Sequence, residues 1–297
     1  MSSVLVIGYG SIGQRHAKLL RESGLDVSIV SSRPNSAIRT FSNIDLAVSE
    51  KDFSLAIIAS PTAHHFEDLQ NLANAGYKSR VIIEKPIFHK PILSQTYPFG
   101  RITVGYNLRF HPLLQNLCAN LVGQKIVSMY AYAGSYLPSW RPNKDYRDSY
   151  SAVKADGGGV MRDLSHEIDY LLWLGGYGAS NISGLFGQFS GLQIESEDIA
   201  CFTFSTKLCP ACVCYLSYAD KTPRRKLIVN TTTDSFELDF LANTLSGIMG
   251  ETSVDVDRNY TYSKMHSEVL SDEIKYSCTI EQGIEVVNFI NQLDGAN

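Results

Sequence analysis

The stretch from Val4 to Gly13, which reads VLVIGYGSIG, decides the fold. It joins an apolar strand to a G-x-G-x-x-G turn, and a helix-like stretch follows from Gln14. Gly8 permits the tight turn, Gly10 lets a pyrophosphate approach the backbone, and Gly13 lets the helix pack closely on the strand. The phosphates of a dinucleotide would then lie at the helix N-terminus. A glycine turn that binds nothing is the alternative, and the strand-turn-helix context favours dinucleotide binding.

Short apolar runs alternate with helix-like stretches as far as residue 106, which predicts right-handed crossovers and a Rossmann fold with a doubly wound parallel sheet. The predicted strands here are residues 4–7, 27–30, 55–59, 81–83 and 102–106, and the predicted helices are residues 14–21 and 63–75. Residues 113–121 are helix-like, and the strand-like runs that follow succeed one another: 126–133, 199–204, 211–218, 226–230 and 235–239. Consecutive strands predict an α+β domain with a mostly antiparallel sheet.

The length of 297 residues suits two domains, each able to bury its own core. We expect a mixed α/β protein with a Rossmann domain over residues 1–112 and an α+β domain for substrate binding and oligomerisation over residues 113–297. A closing helix is predicted over residues 279–293, because its apolar residues follow a helical period.

Composition excludes several classes of partner. The net charge of −4 offers no basic field for nucleic acid or for an anionic membrane.

No leader-like segment precedes the first strand, and six unevenly spread cysteines suit reduced thiols, so we expect a cytoplasmic protein. Cys209, Cys212 and Cys214 could be mistaken for a metal or redox site, but a closed zinc site needs four ligands. We expect buried strand cysteines and no metal.

The end of the second strand bears on the choice of cofactor. NAD sites usually place a carboxylate there, where it binds the ribose hydroxyls and repels a 2′-phosphate. Here the strand runs into Ser31, Ser32 and Arg33, whereas Asp26 precedes the strand. Two hydroxyls and a guanidinium suit a 2′-phosphate, so the sequence favours NADP over NAD. A solvated surface cation is the alternative for Arg33.

The turn Glu84-Lys85-Pro86 after a predicted strand resembles the E-K-P signature of the glucose-fructose oxidoreductase, inositol dehydrogenase and rhizopine catabolism (Gfo/Idh/MocA) family. Ser60, Pro61 and Thr62, with His65 following, resemble the family segment that lines the nicotinamide. The resemblance continues through residues 105–110 and through the glycine run 157–159, after which come Asp163 and His166. It implies cofactor contacts from these residues together with the glycine turn, namely Gly8, Gly10, Ser11, Ile12, Gly13, Ser60, Pro61, Thr62, His65, Glu84 and Lys85.

The family lysine transfers a proton to or from the substrate hydroxyl while a hydride passes to or from the nicotinamide, and the resemblance gives that role to Lys85. Oxidising a secondary alcohol removes a proton as well as a hydride, so the reaction needs such a group. The family also implies a cis peptide bond between Lys85 and Pro86. An ordinary exposed lysine is the alternative.

Asp163 and His166 are predicted to lie on one helix, with Tyr170 on the same face. The family pattern spaces aspartate and histidine four apart, whereas here they are three apart and Glu167 occupies the fourth position. We expect His166 to act as a second acid/base group or as a partner of the reacting hydroxyl, with Asp163 orienting it or the substrate. A capping aspartate and a structural histidine are the alternative.

A segment rich in aromatic and basic residues suggests the substrate. Its members are Tyr136, Trp140, Arg141, Lys144, Tyr146 and Arg147. Aromatic faces stack on sugars and cations hold carboxylates or phosphates, although an exposed connecting loop fits equally well. Arg109, after the last strand of the first domain, either binds the substrate or pairs structurally with an acid.

The sequence therefore predicts an NADP-dependent dehydrogenase or reductase acting on a CH–OH group of a sugar, sugar acid, polyol or nucleotide sugar. The resemblance further implies a homodimer or homotetramer. A non-catalytic NADP-binding sensor on the same fold is the alternative, and the altered aspartate–histidine spacing keeps it open.

Overall fold

The fold is taken from a computed structural model that describes residues 2–33, 35–92 and 96–295. Its α-helices are α1 (Ser11–Glu22), α2 (Ile44–Glu50), α3 (His65–Asn74), α4 (Pro112–Asn120), α5 (Val160–Asp163), α6 (Ser165–Leu174), α7 (Tyr260–Leu270) and α8 (Ile280–Gly295). Its strands are β1 (Ser3–Ile7), β2 (Asp26–Val30), β3 (Arg39–Phe41), β4 (Leu55–Ile58), β5 (Arg80–Ile83), β6 (Arg101–Val104), β7 (Ile126–Gly134), β8 (Ser180–Gly187), β9 (Ile199–Ser205), β10 (Cys212–Ser217), β11 (Arg224–Thr231), β12 (Ser235–Asp239), β13 (Thr244–Gly247), β14 (Gly250–Ser253) and β15 (Cys278–Thr279).

Contacts divide the chain into two compact units. The first contains the chain as far as Phe110 together with Arg258–Val287, and the second contains His111–Asp257 together with the chain from Asn288. The division near residue 111 lies close to the predicted boundary, but the return of 258–287 to the first unit was not predicted. Helix α8 begins in the first unit and ends in the second.

The first unit is built on a seven-stranded sheet in the order β15-β6-β5-β4-β1-β2-β3, as far as the described residues show. All neighbouring strands pair in parallel except β15, which pairs antiparallel with β6. The central strands are apolar at nearly every position because helices cover both faces. Helices α1 and α7 pack on one core, which contains Ala17, Leu20, Met265 and Val269. The predicted parallel Rossmann sheet is confirmed.

The second unit is built on an eight-stranded sheet in the order β14-β13-β12-β11-β7-β10-β9-β8 in the described part of the chain. Every pair is antiparallel except β7 with β10, which confirms the mostly antiparallel sheet. One sheet face is buried under helices, with Phe202 and Phe204 of β9 packed against Phe289 of α8. The predicted helix 279–293 is observed as α8.

One prediction about the second unit was wrong. Asp163 and His166 do not share a helix, because α5 ends at Asp163 and α6 begins at Ser165. Leu164 between them has φ −99° and ψ 32°, outside the helical region. Asp163 therefore does not share the helix face of His166 and Tyr170, and Tyr170 donates to Glu167 in the buried interior.

Candidate functional site

The carboxyl ends of parallel strands share one edge of the first sheet, and this edge collects the predicted cofactor residues. The Gly8–Gly13 turn follows β1, Ser31–Arg33 follow β2, Ser60–Thr62 follow β4, and Glu84–Pro86 follow β5. These four strands are neighbours in the order β5-β4-β1-β2. Segments distant in sequence thus meet along one edge, where open α/β sheets bind ligands.

The three glycines of the turn meet three different surroundings. Gly8 has φ +88°, and a Cβ added there would lie 2.5 Å from the backbone nitrogen of Ser60. A Cβ on Gly13 would lie 2.0 Å from the carbonyl oxygen of Gly8, so Gly13 permits the close packing of α1 on β1. A Cβ on Gly10 would meet no atom within 4 Å. Gly8 and Gly13 are therefore required by the fold, and Gly10 borders open space.

That open space lies at the start of a twelve-residue helix, α1, whose N-cap residue Gly10 provides no side-chain cap. The first backbone N–H groups of a helix lack helical partners and carry a partial positive charge. The exposed Ser11 and half-buried Ile12 contribute to this turn. The residues present therefore fit the pyrophosphate of a dinucleotide.

The end of β2 carries hydroxyls and a cation. Ser31 is half-buried, Ser32 and Arg33 are exposed, and the backbone N–H of Arg33 donates to Oγ of Ser31 at 3.1 Å. Asp26 begins β2 at the opposite end of the strand. There it accepts a hydrogen bond from Lys51 at 2.6 Å, which lowers the pKa of its carboxyl group.

His65 joins two of the loops at this edge. Its Nε2 lies 3.0 Å from the carbonyl oxygen of Ser60, and its Nδ1 lies 3.1 Å from that of Ile87 and 3.2 Å from that of Pro86. The ring is 1% exposed, and burial lowers its pKa against the opposing effect of these carbonyls. Oγ of Ser60 also donates to Asp68 at 2.5 Å. The side chain of His65 thereby lies between the end of β4 and the E-K-P turn, and its neutral ring can donate a hydrogen bond to one of the two.

The E-K-P turn has the backbone that the family resemblance implies, with a cis peptide bond between Lys85 and Pro86. Lys85 is half-buried. Glu84 is 7% exposed, and its Oε2 accepts a hydrogen bond from the backbone N–H of Lys85 at 3.2 Å. Its Oε1 lies 2.9 Å from Nε2 of His16, a residue that the sequence did not single out. His16 is three residues beyond Gly13, and only this long-range contact reveals it.

In the second unit, Asp163 forms a cluster with two tyrosines. The hydroxyl of the fully buried Tyr218 donates to Oδ2 of Asp163 at 2.7 Å. Tyr150, which is 40% exposed as a residue, also hydrogen bonds to Asp163, and the charge of Asp163 raises the pKa of its hydroxyl. The ring of Trp140 stands edge-on to that of Tyr218 at 5.3 Å. Neither tyrosine was predicted, because nothing in the local sequence links them to Asp163.

His166 and Glu167 differ in their surroundings. His166 is 8% exposed near the start of α6. Glu167 is fully buried, with Oε1 2.9 Å from Nε of Arg225 on β11 and 3.2 Å from the hydroxyl of Tyr170. The carboxylate of Glu167 is thus engaged within the second unit.

The aromatic and basic segment forms a pocket within the second unit. Leu137, Trp140, Arg141, Asp145, Tyr146, Ser149 and Ser151 line it. Trp140 is fixed by a 2.7 Å hydrogen bond from Nε1 to Ser135, and the guanidinium of Arg141 lies 5.5 Å from the ring centre of Tyr150. The neighbouring Tyr136 is covered by Lys221, whose Nζ lies 3.1 Å from the ring centre. Trp140 and Arg141 therefore line the pocket, whereas Tyr136 has one ring face occupied.

Arg109 is buried in the first unit. It is 1% exposed, and its Nη1 donates to Oε1 of Gln282 on α8 at 2.7 Å within the first unit. The same oxygen accepts the backbone N–H of Thr279. This contact is structural, although its partner is an amide and not the acid named in the alternative.

Cys209, Cys212 and Cys214 are fully buried, as expected, and the latter two lie on β10. Among residues 2–33, 35–92 and 96–295, no group of three or more histidine, cysteine, aspartate or glutamate side chains is arranged to hold a metal ion. In the same ranges, the helices are too short or too polar for one of them to cross a membrane.

Comparison with known proteins shows which family the first part of the chain resembles. Residues 2–92 match the Gfo/Idh/MocA family model, described as an oxidoreductase family with an NAD-binding Rossmann fold. This part of the chain is similar to the Gfo/Idh/MocA oxidoreductases. The match confirms the resemblance carried by the glycine turn and the E-K-P motif, and a Gfo/Idh/MocA domain binds NAD or a related dinucleotide through its Rossmann fold.

Solved structures extend the likeness of fold to the whole chain. UDP-N-acetylglucosamine 3-dehydrogenase GnnA from Acidithiobacillus ferrooxidans is 19% identical with a TM-score of 0.79, and the match covers 99% of this chain and 97% of that one. The WlbA dehydrogenase from Bordetella pertussis, in complex with NADH and UDP-GlcNAcA, is 14% identical with a TM-score of 0.78, over 99% and 95% of the two chains.

A third similar structure is described as a putative NADPH-dependent oxidoreductase from Desulfitobacterium hafniense DCB-2. It is 14% identical with a TM-score of 0.82, and the match covers 99% of this chain and 95% of that one. A comparison with curated protein sequences found no match.

Proposed function

We propose that this protein is an NADP-dependent oxidoreductase that transfers a hydride between nicotinamide and a secondary alcohol or ketone of a sugar, sugar acid, polyol or nucleotide sugar. The observation that carries the proposal is the shared edge of the first sheet, where the Gly10 opening and the Glu84-Lys85-Pro86 turn meet. When bound there, the nicotinamide supplies or accepts the hydride. The similar structures GnnA and WlbA support a nucleotide-sugar class of substrate.

Lys85 is the proposed proton donor and acceptor at the reacting oxygen. Lys85 is half-buried, so its side chain keeps access to a bound substrate, as a general acid or base requires. The side chain of His65 fills the space between the loop that carries Lys85 and the end of β4.

Asp163 and His166 are the further proposed acid/base residues. Tyr218 and Tyr150 donate to Asp163, and these bonds fix its carboxylate. Because Glu167 is engaged by Arg225, His166 is the better candidate for the role of the family histidine. Trp140 and Arg141 are proposed substrate contacts, a planar ring for a sugar face and a guanidinium for an anionic group.

NADP is the proposed cofactor because the end of β2 offers Ser31, Ser32 and Arg33, and the nearest carboxylate of that strand, Asp26, lies at its other end. A 2′-phosphate is bound well by hydroxyl groups and a guanidinium. The NADPH-dependent description of the structure from Desulfitobacterium hafniense supports this choice, whereas WlbA was solved with NADH.

A homo-oligomer is also proposed, through the sheet face of the second unit that helices do not cover. Tyr130, Tyr132 and Tyr215 are half-buried on this face, and Leu185 of β8 is 64% exposed. The rings of Tyr132 and Tyr215 stack at 5.0 Å. Light scattering on the wild type and on Tyr215→Asp would test it, because a charge at the centre of this face should dissociate a dimer.

The test of the proposed function is an assay of the purified protein with NADP or NADPH against sugars, polyols, inositols and nucleotide sugars, read by the absorbance of reduced nicotinamide. Turnover of at least one substrate supports the proposal. Tight NADP binding without any turnover across the panel would favour a non-catalytic sensor instead.

A further inference from the structure

Two buried histidines lie in a row with Glu84. Nε2 of His16 on α1 lies 2.9 Å from Oε1 of Glu84, and Nδ1 of the same ring lies 2.7 Å from Nε2 of His266 on α7. His16 is fully buried and His266 is 4% exposed. Since Glu84 also accepts the N–H of Lys85, a continuous row of contacts leads from α7 to the backbone of Lys85.

The chemistry of the row restricts where its protons lie. A carboxylate only accepts hydrogen bonds, so Nε2 of His16 must carry a proton to bond to Glu84. Burial, followed by the proximity of His16, holds the pKa of His266 well below its usual value, so His266 is neutral and carries one ring proton. If that proton is on Nε2, it points at the bare Nδ1 of His16 and every contact in the row is satisfied.

We propose that His266 is a positioning residue: its Nε2–H donates to Nδ1 of His16, which fixes His16 as the Nε2–H tautomer that donates to Glu84 and holds the E-K-P turn in place. The proposal rests on the proposed function in so far as it assigns this turn to catalysis. Neither His16 nor His266 belongs to the cofactor or acid/base residues proposed above. Both lie on helices rather than in the loops at the sheet edge.

The surroundings leave the row little freedom. The ring of Tyr262 on α7 stands edge-on to His16 with centres 5.3 Å apart, and the guanidinium of Arg15 lies 5.2 Å from the centre of the Tyr262 ring. Burial raises the pKa of Tyr262, so its hydroxyl stays protonated beside the row. A Cβ at Gly105 would lie 2.7 Å from Oε1 of Glu84, so the backbone of Gly105 packs closely against this carboxylate.

Two amide substitutions at His266 distinguish the effect of its hydrogen-bond donor from the effect of filling the space of its side chain. In His266→Gln, the amide nitrogen takes about the place of Nε2 and can donate to His16. In His266→Asn, the shorter amide takes about the place of Nδ1 and does not reach. Val269→Ala, a buried truncation on the same helix, is the matched control for loss of packing.

The direct readout is the tautomer of His16, obtained from proton–nitrogen correlations in protein labelled with 15N-histidine. The chain has seven histidines, so the spectrum can be assigned with single variants. We expect the Nε2–H tautomer of His16 in the wild type, in His266→Gln and in Val269→Ala, and a changed or mixed state in His266→Asn. An Nδ1–H tautomer in the wild type, or an unchanged spectrum of His16 in His266→Asn, would overturn the proposal.

The second readout is turnover at saturating NADP with a substrate from the panel. We expect kcat of His266→Asn to fall on the order of 10- to 100-fold, since small displacements of a catalytic group have effects of that size, and His266→Gln to restore most of it. Equal losses in both variants would overturn the proposal. Normal turnover in Lys85→Ala would instead refute the proposed function and leave the tautomer result unaffected.

Discussion

The hydroxyl of Tyr218 donates a 2.7 Å hydrogen bond to Oδ2 of Asp163, although 55 residues separate them in the chain. Asp163 ends α5, and Tyr218 directly follows β10, so the bond joins the end of α5 to the sheet of the second unit. Both side chains are buried, at 0% and 7% exposure for Tyr218 and Asp163.

Tyr218→Phe should therefore destabilise the protein. Removing the hydroxyl deletes one hydrogen bond to a buried carboxylate, and we expect the free energy of unfolding to fall by about 1–3 kcal/mol. Urea denaturation followed by circular dichroism measures it. Tyr215→Phe, on β10 and half-buried, is the control and should change stability by less than about 0.5 kcal/mol. Equal effects of the two substitutions would mean that the bond to Asp163 contributes nothing.

Gly10→Ala and Gly13→Ala should separate cofactor binding from folding. Gly13→Ala places a Cβ 2.0 Å from the carbonyl oxygen of Gly8, so we expect a loss of about 1–3 kcal/mol or more in stability. Gly10→Ala meets no atom within 4 Å and should change stability by less than about 1 kcal/mol.

The same Gly10→Ala variant should nevertheless bind NADP at least about tenfold more weakly, because its methyl group occupies the space proposed for the pyrophosphate. Thermal melting and isothermal titration give the two quantities. Normal NADP affinity in Gly10→Ala would place the pyrophosphate elsewhere.

Arg33→Ala should weaken NADP binding selectively. A lost charge-assisted hydrogen bond to the 2′-phosphate corresponds to about a 10- to 150-fold higher Kd for NADP. The Kd for NAD should stay near its wild-type value. Arg39→Ala is the matched control, because Arg39 lies on the neighbouring strand and pairs with Glu50. A wild type that binds NAD and NADP equally well would contradict the assignment of Arg33.

We expect the buried His111 to make the free energy of unfolding decrease as the pH is lowered from 7 to 5. Burial lowers the pKa of His111, whose Nε2 lies 3.0 Å from Oδ1 of Asn243. The unfolded chain, with a histidine pKa of about 6.5, then takes up the proton first as the pH falls. The contribution of neutral His111 to the free energy of unfolding is therefore fully present above about pH 6.5. It is lost as the pH falls towards the pKa of the folded state, by at most about 1.4 kcal/mol per pH unit.

His111→Asn isolates this contribution, because an asparagine oxygen can still cap α4 where Nδ1 of His111 now accepts the N–H of Leu113. Unfolding measured from pH 7 to pH 5 should show a shallower loss of stability in this variant than in the wild type. His64→Asn, at an exposed position, should keep the wild-type slope. The contribution of His111 would be refuted by identical slopes in wild type and His111→Asn.

Other buried groups also contribute to the pH dependence of stability. Buried His65 and His266 lower stability in acid as His111 does, and Glu197, whose pKa is raised by burial, has the opposite effect.

Apolar runs and the glycine turn predicted the buried strands well. Strands β1, β4 and β5 are completely or almost completely buried, and their continuous hydrophobic residues make them predictable from the sequence. Strand β8 was missed because it lies at a sheet edge and is mostly exposed, so its sequence SNISGLFG needs no apolar alternation. The return of α7 and β15 to the first unit depends on long-range packing that no local pattern reports.

The candidate site was predictable to the extent that motifs mark it. The glycine turn, the cis bond at Lys85-Pro86 and the position of Ser31–Arg33 follow from local sequence and family resemblance. The break at Leu164 did not, because a helical period continues through it while the backbone leaves the helical region. His16, His266 and Tyr218 were missed for a similar reason: each acts through a contact with a residue far away in the chain.

The most direct test of the account is the turnover of Lys85→Ala with NADP and a substrate found in the panel, beside Lys90→Ala, a substitution at an exposed lysine five residues further on. We predict that kcat falls by about 10²–10⁴-fold in Lys85→Ala, the range for loss of a general acid/base, while the protein still folds and binds NADP. Lys90→Ala should turn over like the wild type. Near-normal turnover in a folded, NADP-binding Lys85→Ala would contradict the proposed mechanism.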